Sequence, residues 1–103
     1  KLLAVIAYME ETLEHPVSCS ELAREVKIST RQLERLFRKY LKHAPTRYYL
    51  GLRLNRARFL LLQTSMPILD VALACGFVSA SHFSKCYREY FNRTPSQERV
   101  LPI

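Results

Sequence analysis

Laid over one another at an offset of 50, LERLFRKYL at residues 33–41 and FSKCYREYF at residues 83–91 place apolar side chains in the same order. Leu33, Leu36, Phe37, Tyr40 and Leu41 fall at i, i+3, i+4, i+7 and i+8, and so do Phe83, Cys86, Tyr87, Tyr90 and Phe91. That spacing predicts two amphipathic helices burying the same face. Upstream, an offset of 49 pairs Glu21, Leu22, Ala23, Val26 and Ile28 with Asp70, Val71, Ala72, Cys75 and Phe77. Downstream, the offset of 50 pairs Pro45 with Pro95, so one residue is inserted in the turn of the second copy. A repeating chain of 103 residues has room for two small units sharing an element, and little else.

Each copy reads as a short helix, a tight turn and a second helix with a polar outer face, which is the shape of a helix-turn-helix. Ser18 with Glu21 and Ser29 with Gln32 have capping-box spacing at the starts of the two helices of the first copy. In the turns KIS and GFVS, a buried Ile28 or Phe77 is expected to pin the angle between helices. Residues 2–13 predict an amphipathic first helix and residues 46–62 a long joining helix. In TPSQER, Thr94 as cap, Pro95 at the first helical position and Gln97 three past the cap predict a short last helix. Only two glycines leave little material for hairpin turns. The expected fold is therefore all-α, about seven helices, with one subdomain over 1–45, a linker helix within 46–64 and a second subdomain over 65–103.

Charge is concentrated rather than spread. Residues 27–58 carry ten bases (Lys27, Arg31, Arg35, Arg38, Lys39, Lys42, Arg47, Arg53, Arg56, Arg58) against Glu34, so 10 − 1 gives +9, whereas residues 1–26 come to −3. Such a field on a small domain suits a polyanion such as nucleic acid better than an anionic membrane. No apolar run approaches the roughly 18 residues that span a bilayer, and nothing resembles a signal peptide, so a cytoplasmic location without membrane association is expected. The chain begins at Lys1 inside an apolar-periodic segment, as a fragment of something longer would.

Cys75, His82 and Cys86 lie close enough in sequence to raise the question of a metal site or a reactive thiol pair. The repeat argues otherwise. Cys75 stands where Val26 stands and Cys86 where Leu36 does, which makes both small apolar residues on core faces, and His82 matches the outward Gln32. The three side chains are expected to point in different directions, whereas a zinc site needs convergent ligands. No metal, cofactor or catalytic group is predicted. An odd number of cysteines without paired short spacings also fits a reducing compartment.

With the inner faces assigned, the outer faces of the second helices carry the function: Arg31, Gln32, Glu34, Arg35, Arg38 and Lys39 in one copy, Ser81, His82, Ser84, Lys85 and Arg88 in the other. Arg pairs bidentately with guanine, Gln with adenine, and Glu accepts from cytosine. Two rival readings stand beside DNA binding. One is a redox protein using Cys75 and Cys86; the other is a non-catalytic helical interaction domain for an acidic protein or RNA.

SELAREVKISTRQLERLFRKYLKHAPTRYYLGLRLNRARFLL together with ILDVALACGFVSASHFSKCYREYFNRTPSQER resembles the DNA-binding domain of AraC/XylS-type bacterial transcription regulators. Alanine before the turn, Gly-Phe within it, Ser-x-Phe entering the helix and Thr-Pro after it carry most of the likeness. Two departures stand out. Glu98-Arg99 occupies the place of a common Tyr-Arg pair, and Asn92-Arg93 replaces a glycine-containing turn. The Glu-Arg ending, with RYYLGLRLNRAR and VALACGF, is similar to the branch whose amino-terminal part resembles a glutamine-amidotransferase or DJ-1-type domain. That branch includes regulators of arginine, carnitine and betaine catabolism.

The resemblance implies two recognition helices, about 30–41 and 80–91, in successive major-groove segments of double-stranded DNA. It implies base contacts from Arg31, Gln32, Glu34, Arg35, Ser81, His82, Ser84 and Lys85. Phosphate contacts are implied for Ser29, Arg38, Ser79 and Arg88. It also implies RNA polymerase as a partner of an activator, and an effector-binding domain amino-terminal to this one. A 17-residue linker helix at about 1.5 Å per residue spans roughly 25 Å, which with its flanking turns suits recognition helices about 34 Å apart.

Overall fold

Two runs of i, i+3, i+4 spacing and four serine or threonine caps divide the chain into helices, and the computed structural model, which describes residues 1–100, has them where the repeat places them. The order is α1 (Leu2–Glu11), α2 (Cys19–Glu25), α3 (Thr30–Leu41), α4 (Pro45–Gln63), α5 (Ile68–Ala74), α6 (Ala80–Phe91) and α7 (Pro95–Val100). No strand occurs among the described residues. The chain divides between Leu52 and Arg53 into two compact units, so that α4 is one helix whose residues are shared between them. The expected subdomain 65–103 extends over residues 101–103, which lie outside the described ones.

In the first unit the core is Val5 and Met9 of α1, Leu22 and Ala23 of α2, Leu33 and Phe37 of α3, and Tyr49 of α4. Burying one such large side chain contributes roughly 1.5–3 kcal/mol, so these few residues hold the three short helices that propensity alone would not. The hydroxyl of Tyr49 donates to the Thr12 carbonyl at 3.2 Å and accepts from the Val17 amide at 3.2 Å, tying both ends of the α1–α2 loop to α4. Helix α1 ends at Glu11, short of the expected residue 13. The Thr12 hydroxyl donates back to the Tyr8 carbonyl at 2.8 Å and its amide bonds Met9, which closes the last turn early.

Both helix-turn-helix turns are closed by the same pair of backbone bonds. After α2, Ile28 N–H donates to Ala23 and Lys27 N–H to Arg24; after α5, Phe77 N–H donates to Ala72 and Gly76 N–H to Leu73. This 6→1 and 5→2 arrangement is the Schellman closure, and it requires a left-handed residue at its centre. Gly76 supplies it at φ 86° and Lys27 at φ 60°. Past the turn, Ser29 and Ser79 cap α3 and α6 by accepting from the amides of Gln32 and His82. Both helices have 12 residues and end on a left-handed residue, Lys42 at φ 63° and Asn92 at φ 62°. Asn92 thus keeps the geometry that glycine would give, because Asn tolerates this region better than most residues.

The sequence expectations need four adjustments. Ser18 caps α2, but Glu21 does not complete the box, since its carboxylate accepts from Tyr8 Oη at 3.2 Å. Ile28 is only half-buried where Phe77 is fully buried. Tyr40 is 59% exposed, and of the expected buried face of α3 only Leu33 and Phe37 are fully covered. Cys75 is fully buried whereas its counterpart Val26 is only half-buried; Arg53 stands over Phe77 at the second turn, and at the first the Lys1 ammonium bonds the Val26 carbonyl at 2.7 Å.

Candidate nucleic-acid interface

The capping bonds orient α3 and α6 so that their inner residues enter the cores and their polar residues face outward. On α3, Arg31, Gln32, Glu34, Arg35 and Arg38 are exposed, and Ser29 is exposed at its cap. On α6, Ser81, His82, Lys85 and Arg88 are exposed, while Ser84 and the cap Ser79 are half-buried. In the first unit Gln32 and Arg35 lie in one open groove of about 610 Å³ with Ile28, Leu36 and Tyr40. In the second, Ser84, Lys85 and Arg88 lie together with Glu89 and Thr94 around a recess of about 300 Å³. Each groove thus brings together part of its helix's candidates, Gln32 and Arg35 in the first unit and Ser84, Lys85 and Arg88 in the second.

Two of the candidates are partly engaged within the chain. The Gln32 side-chain oxygen accepts from the Ser29 amide at 3.0 Å, completing the capping box, so adenine reading by both amide groups requires that bond to open. His82 Nε2 lies 3.5 Å from Cys86 Sγ and its ring meets Phe77 edge-on at 5.8 Å. The expectation that Cys75, His82 and Cys86 diverge thus fails for one pair, since positions i and i+4 of a helix share a face. Cys75 remains apart, fully buried, with its thiol pushed up to about 11 by burial against the opposing pull of Arg56 and Arg53. No three of His, Cys, Asp or Glu come together among the described residues.

Some arginines counted in the basic stretch have structural partners. Arg53 donates from Nε to the Cys75 carbonyl and from Nη2 to the Gly76 carbonyl, both at 2.9 Å, and its guanidinium stands 4.2 Å over the Phe77 ring. Arg58 pairs at 3.2 Å with Glu98, which is 2% exposed. Glu98 also accepts from Tyr87 Oη at 2.7 Å and from Arg93 at 3.2 Å, so a carboxylate on α7 holds a tyrosine on α6. Burial first, then the bond to Glu98, raises the Tyr87 hydroxyl far above its ordinary range. Arg99 donates to the carbonyls of Leu61, Thr64 and Met66, fastening the end of α4. The Glu98-Arg99 departure is thereby accounted for. These roles left no periodic signal, because each partner is a backbone carbonyl or a single distant side chain.

A family model described as a helix-turn-helix domain matches residues 22–100. The transcriptional regulator GbdR of Pseudomonas aeruginosa is 62% identical over 99 residues, covering 96% of this chain and 27% of that protein. The chain thus spans about a quarter of this curated relative's length. A transcriptional regulator of the AraC-type DNA-binding class from Chromobacterium violaceum has a solved structure that is 52% identical, with TM-score 0.92, covering 96% of this chain and 88% of that one. The DNA-binding domain of AdpA, a global transcriptional factor solved in complex with a target DNA, is 27% identical with TM-score 0.90, covering 96% of this chain and 89% of that one.

Proposed function

Because the chain belongs to the AraC-type helix-turn-helix family of bacterial transcription regulators, we propose that it reads a specific double-stranded DNA sequence through the outer faces of α3 and α6. It is a DNA-binding domain and not an enzyme. The observation that carries the reading is the duplicated geometry: two Schellman-closed turns, each followed by a serine-capped 12-residue helix whose exposed side chains are base-reading and phosphate-holding types. The solved AdpA complex with DNA, at 27% identity, supports the same use of the fold.

Arg31, Glu34 and Arg35 of α3, and Ser81, His82, Ser84 and Lys85 of α6, are the proposed base contacts. Gln32 joins them through its free amide N–H groups. Ser29, Arg38, Ser79 and Arg88 are the proposed phosphate contacts, which fix register without reading sequence. The two helices occupy successive major-groove segments, with α4 as the linker between subdomains. The parent protein is a cytoplasmic regulator with an amino-terminal effector domain, and it acts on transcription through RNA polymerase. No helix among the described residues is long and apolar enough to cross a membrane.

Selection of duplexes from a random library, followed by competition with scrambled DNA and with RNA of equal length, tests this. A strong preference for one duplex is expected. Equal binding to scrambled duplex or to RNA would mean that the polar faces serve a different polyanion. With six phosphates neutralised, log K against log salt should slope near −5, from about −0.9 per contact. A slope shallower than about −2 would remove these faces from the interface.

A further inference from the structure

Arg53 is a base in a strongly basic stretch, yet its guanidinium is turned inward onto the second helix-turn-helix. Its two N–H groups reach successive carbonyls, Cys75 and Gly76, which are the residues that carry the chain out of α5 and through the left-handed turn. The same plane covers the Phe77 ring at 4.2 Å. Phe77 packs on Phe83 at 5.2 Å and meets the edge of His82 at 5.8 Å, both on α6. On the first unit's turn the counterpart carbonyl, that of Val26, accepts a single bond from the Lys1 ammonium at 2.7 Å, and there Ile28 is only half-buried. A planar fork with fixed donor directions can specify an angle that a flexible ammonium cannot.

We propose that Arg53 is a positioning residue for DNA reading: by holding the carbonyls of Cys75 and Gly76 and the face of Phe77, it sets the angle at which α6 presents its bases-facing side chains. This rests on α6 being a DNA-reading helix. It assigns Arg53 no contact with DNA. Misplacing a base contact by a small angle removes its bond while leaving the contacts of α3 untouched, so the effect belongs to one half of the bound sequence.

The test uses the duplex recovered by library selection and its single-base variants, with wild type, Arg53→Lys and, as a second route to the same contact, Phe77→Leu. Half-sites are assigned beforehand by taking the bases whose preference is lost in Arg35→Ala as those of α3 and the remaining selected bases as those of α6. The expected result for Arg53→Lys is roughly tenfold loss of discrimination at the bases assigned to α6. Discrimination at the bases assigned to α3 and the salt slope should be unchanged, with the domain still folded by circular dichroism. Phe77→Leu should lose preference in the same half. A drop of about 0.9 in the salt slope with equal weakening on every sequence would identify Arg53 as a phosphate contact and overturn the proposal. So would full discrimination retained by both folded variants. If Arg53→Lys does not fold, Phe77→Leu decides by the same criteria. Absence of any preference in the wild type would instead sink the DNA reading itself, and the proposal with it.

Discussion

At the scale of single residues, Glu98 decides more about the second unit than its place in a polar stretch implies. It is 2% exposed and satisfies Tyr87, Arg58 and Arg93 at once. Glu98→Ala leaves the Tyr87 hydroxyl without its acceptor, and an unsatisfied buried donor costs about 1–3 kcal/mol. The two arginines add little, since their side chains are 44% and 39% exposed and water screens them. Denaturant unfolding should therefore show a loss of about 1–3 kcal/mol in Glu98→Ala and a smaller loss in Glu98→Gln, which keeps an acceptor. Cysteine chemistry offers a second check at this scale. Cys75 is fully buried with its thiol raised to about 11, while Cys19 and Cys86 are half-buried. Below the ordinary thiol pKa, alkylation of the folded chain should modify Cys19 and Cys86 and leave Cys75 until the protein unfolds. Prompt labelling of Cys75 would contradict its burial.

Elements follow from the repeat because the same backbone bonds close both turns, and one position breaks the symmetry in a testable way. Gly76 takes the left-handed conformation without a side-chain clash, whereas Lys27 takes it at a cost of about 1–2 kcal/mol. Glycine restores part of that cost by entropy in the unfolded chain, about 0.5–1 kcal/mol. Lys27→Gly should therefore stabilise the protein by up to about 1 kcal/mol in thermal or denaturant unfolding, and Gly76→Ala should destabilise it. The same logic explains how far the sequence was legible. Helix number, the two turns, the inserted residue and the capping by Ser18, Ser29 and Thr94 all leave local patterns in spacing or residue type. The angle between α5 and α6 does not, because Arg53 reaches the turn from 22 residues away through backbone carbonyls that carry no sequence. Exposure of Tyr40 was equally hidden, since its apolar spacing matches that of Leu33 and Phe37 although it borders the open groove it shares with Lys1 and Leu2, while the next residue, Leu41, packs on the core. The candidate interface was legible as a face, from polar residues at helical spacing. What could not be read was which cations that face keeps for DNA.

For the whole molecule, the net charge of +7 sets the attraction to a polyanion, but only cations free to release counterions set the salt dependence. Arg35 and Arg38 are exposed on α3 and Arg88 on α6. Arg53 and Arg99 instead spend their donors on carbonyls within the second unit. Equal charge changes should thus give unequal salt slopes. Arg38→Gln is expected to flatten log K against log salt by about 0.9 and to weaken selected and scrambled duplexes alike. Arg99→Gln should leave the slope unchanged and lower the unfolding free energy, because three carbonyls lose their donor. Between the reading helices, α3 carries Arg31, Glu34 and Arg35 where α6 carries Ser81, Ser84 and Lys85, so bidentate donors favour the first. Arg35→Ala should cost about 1–3 kcal/mol of discrimination in one half of the site, while Lys85→Ala lowers affinity with less change in preference. Competition binding over single-base variants at fixed salt measures both. Greater loss of discrimination in Lys85→Ala would show that hydroxyls and His82 on α6, held at an angle set by the Arg53 clasp, read more of the sequence than the arginine-rich helix.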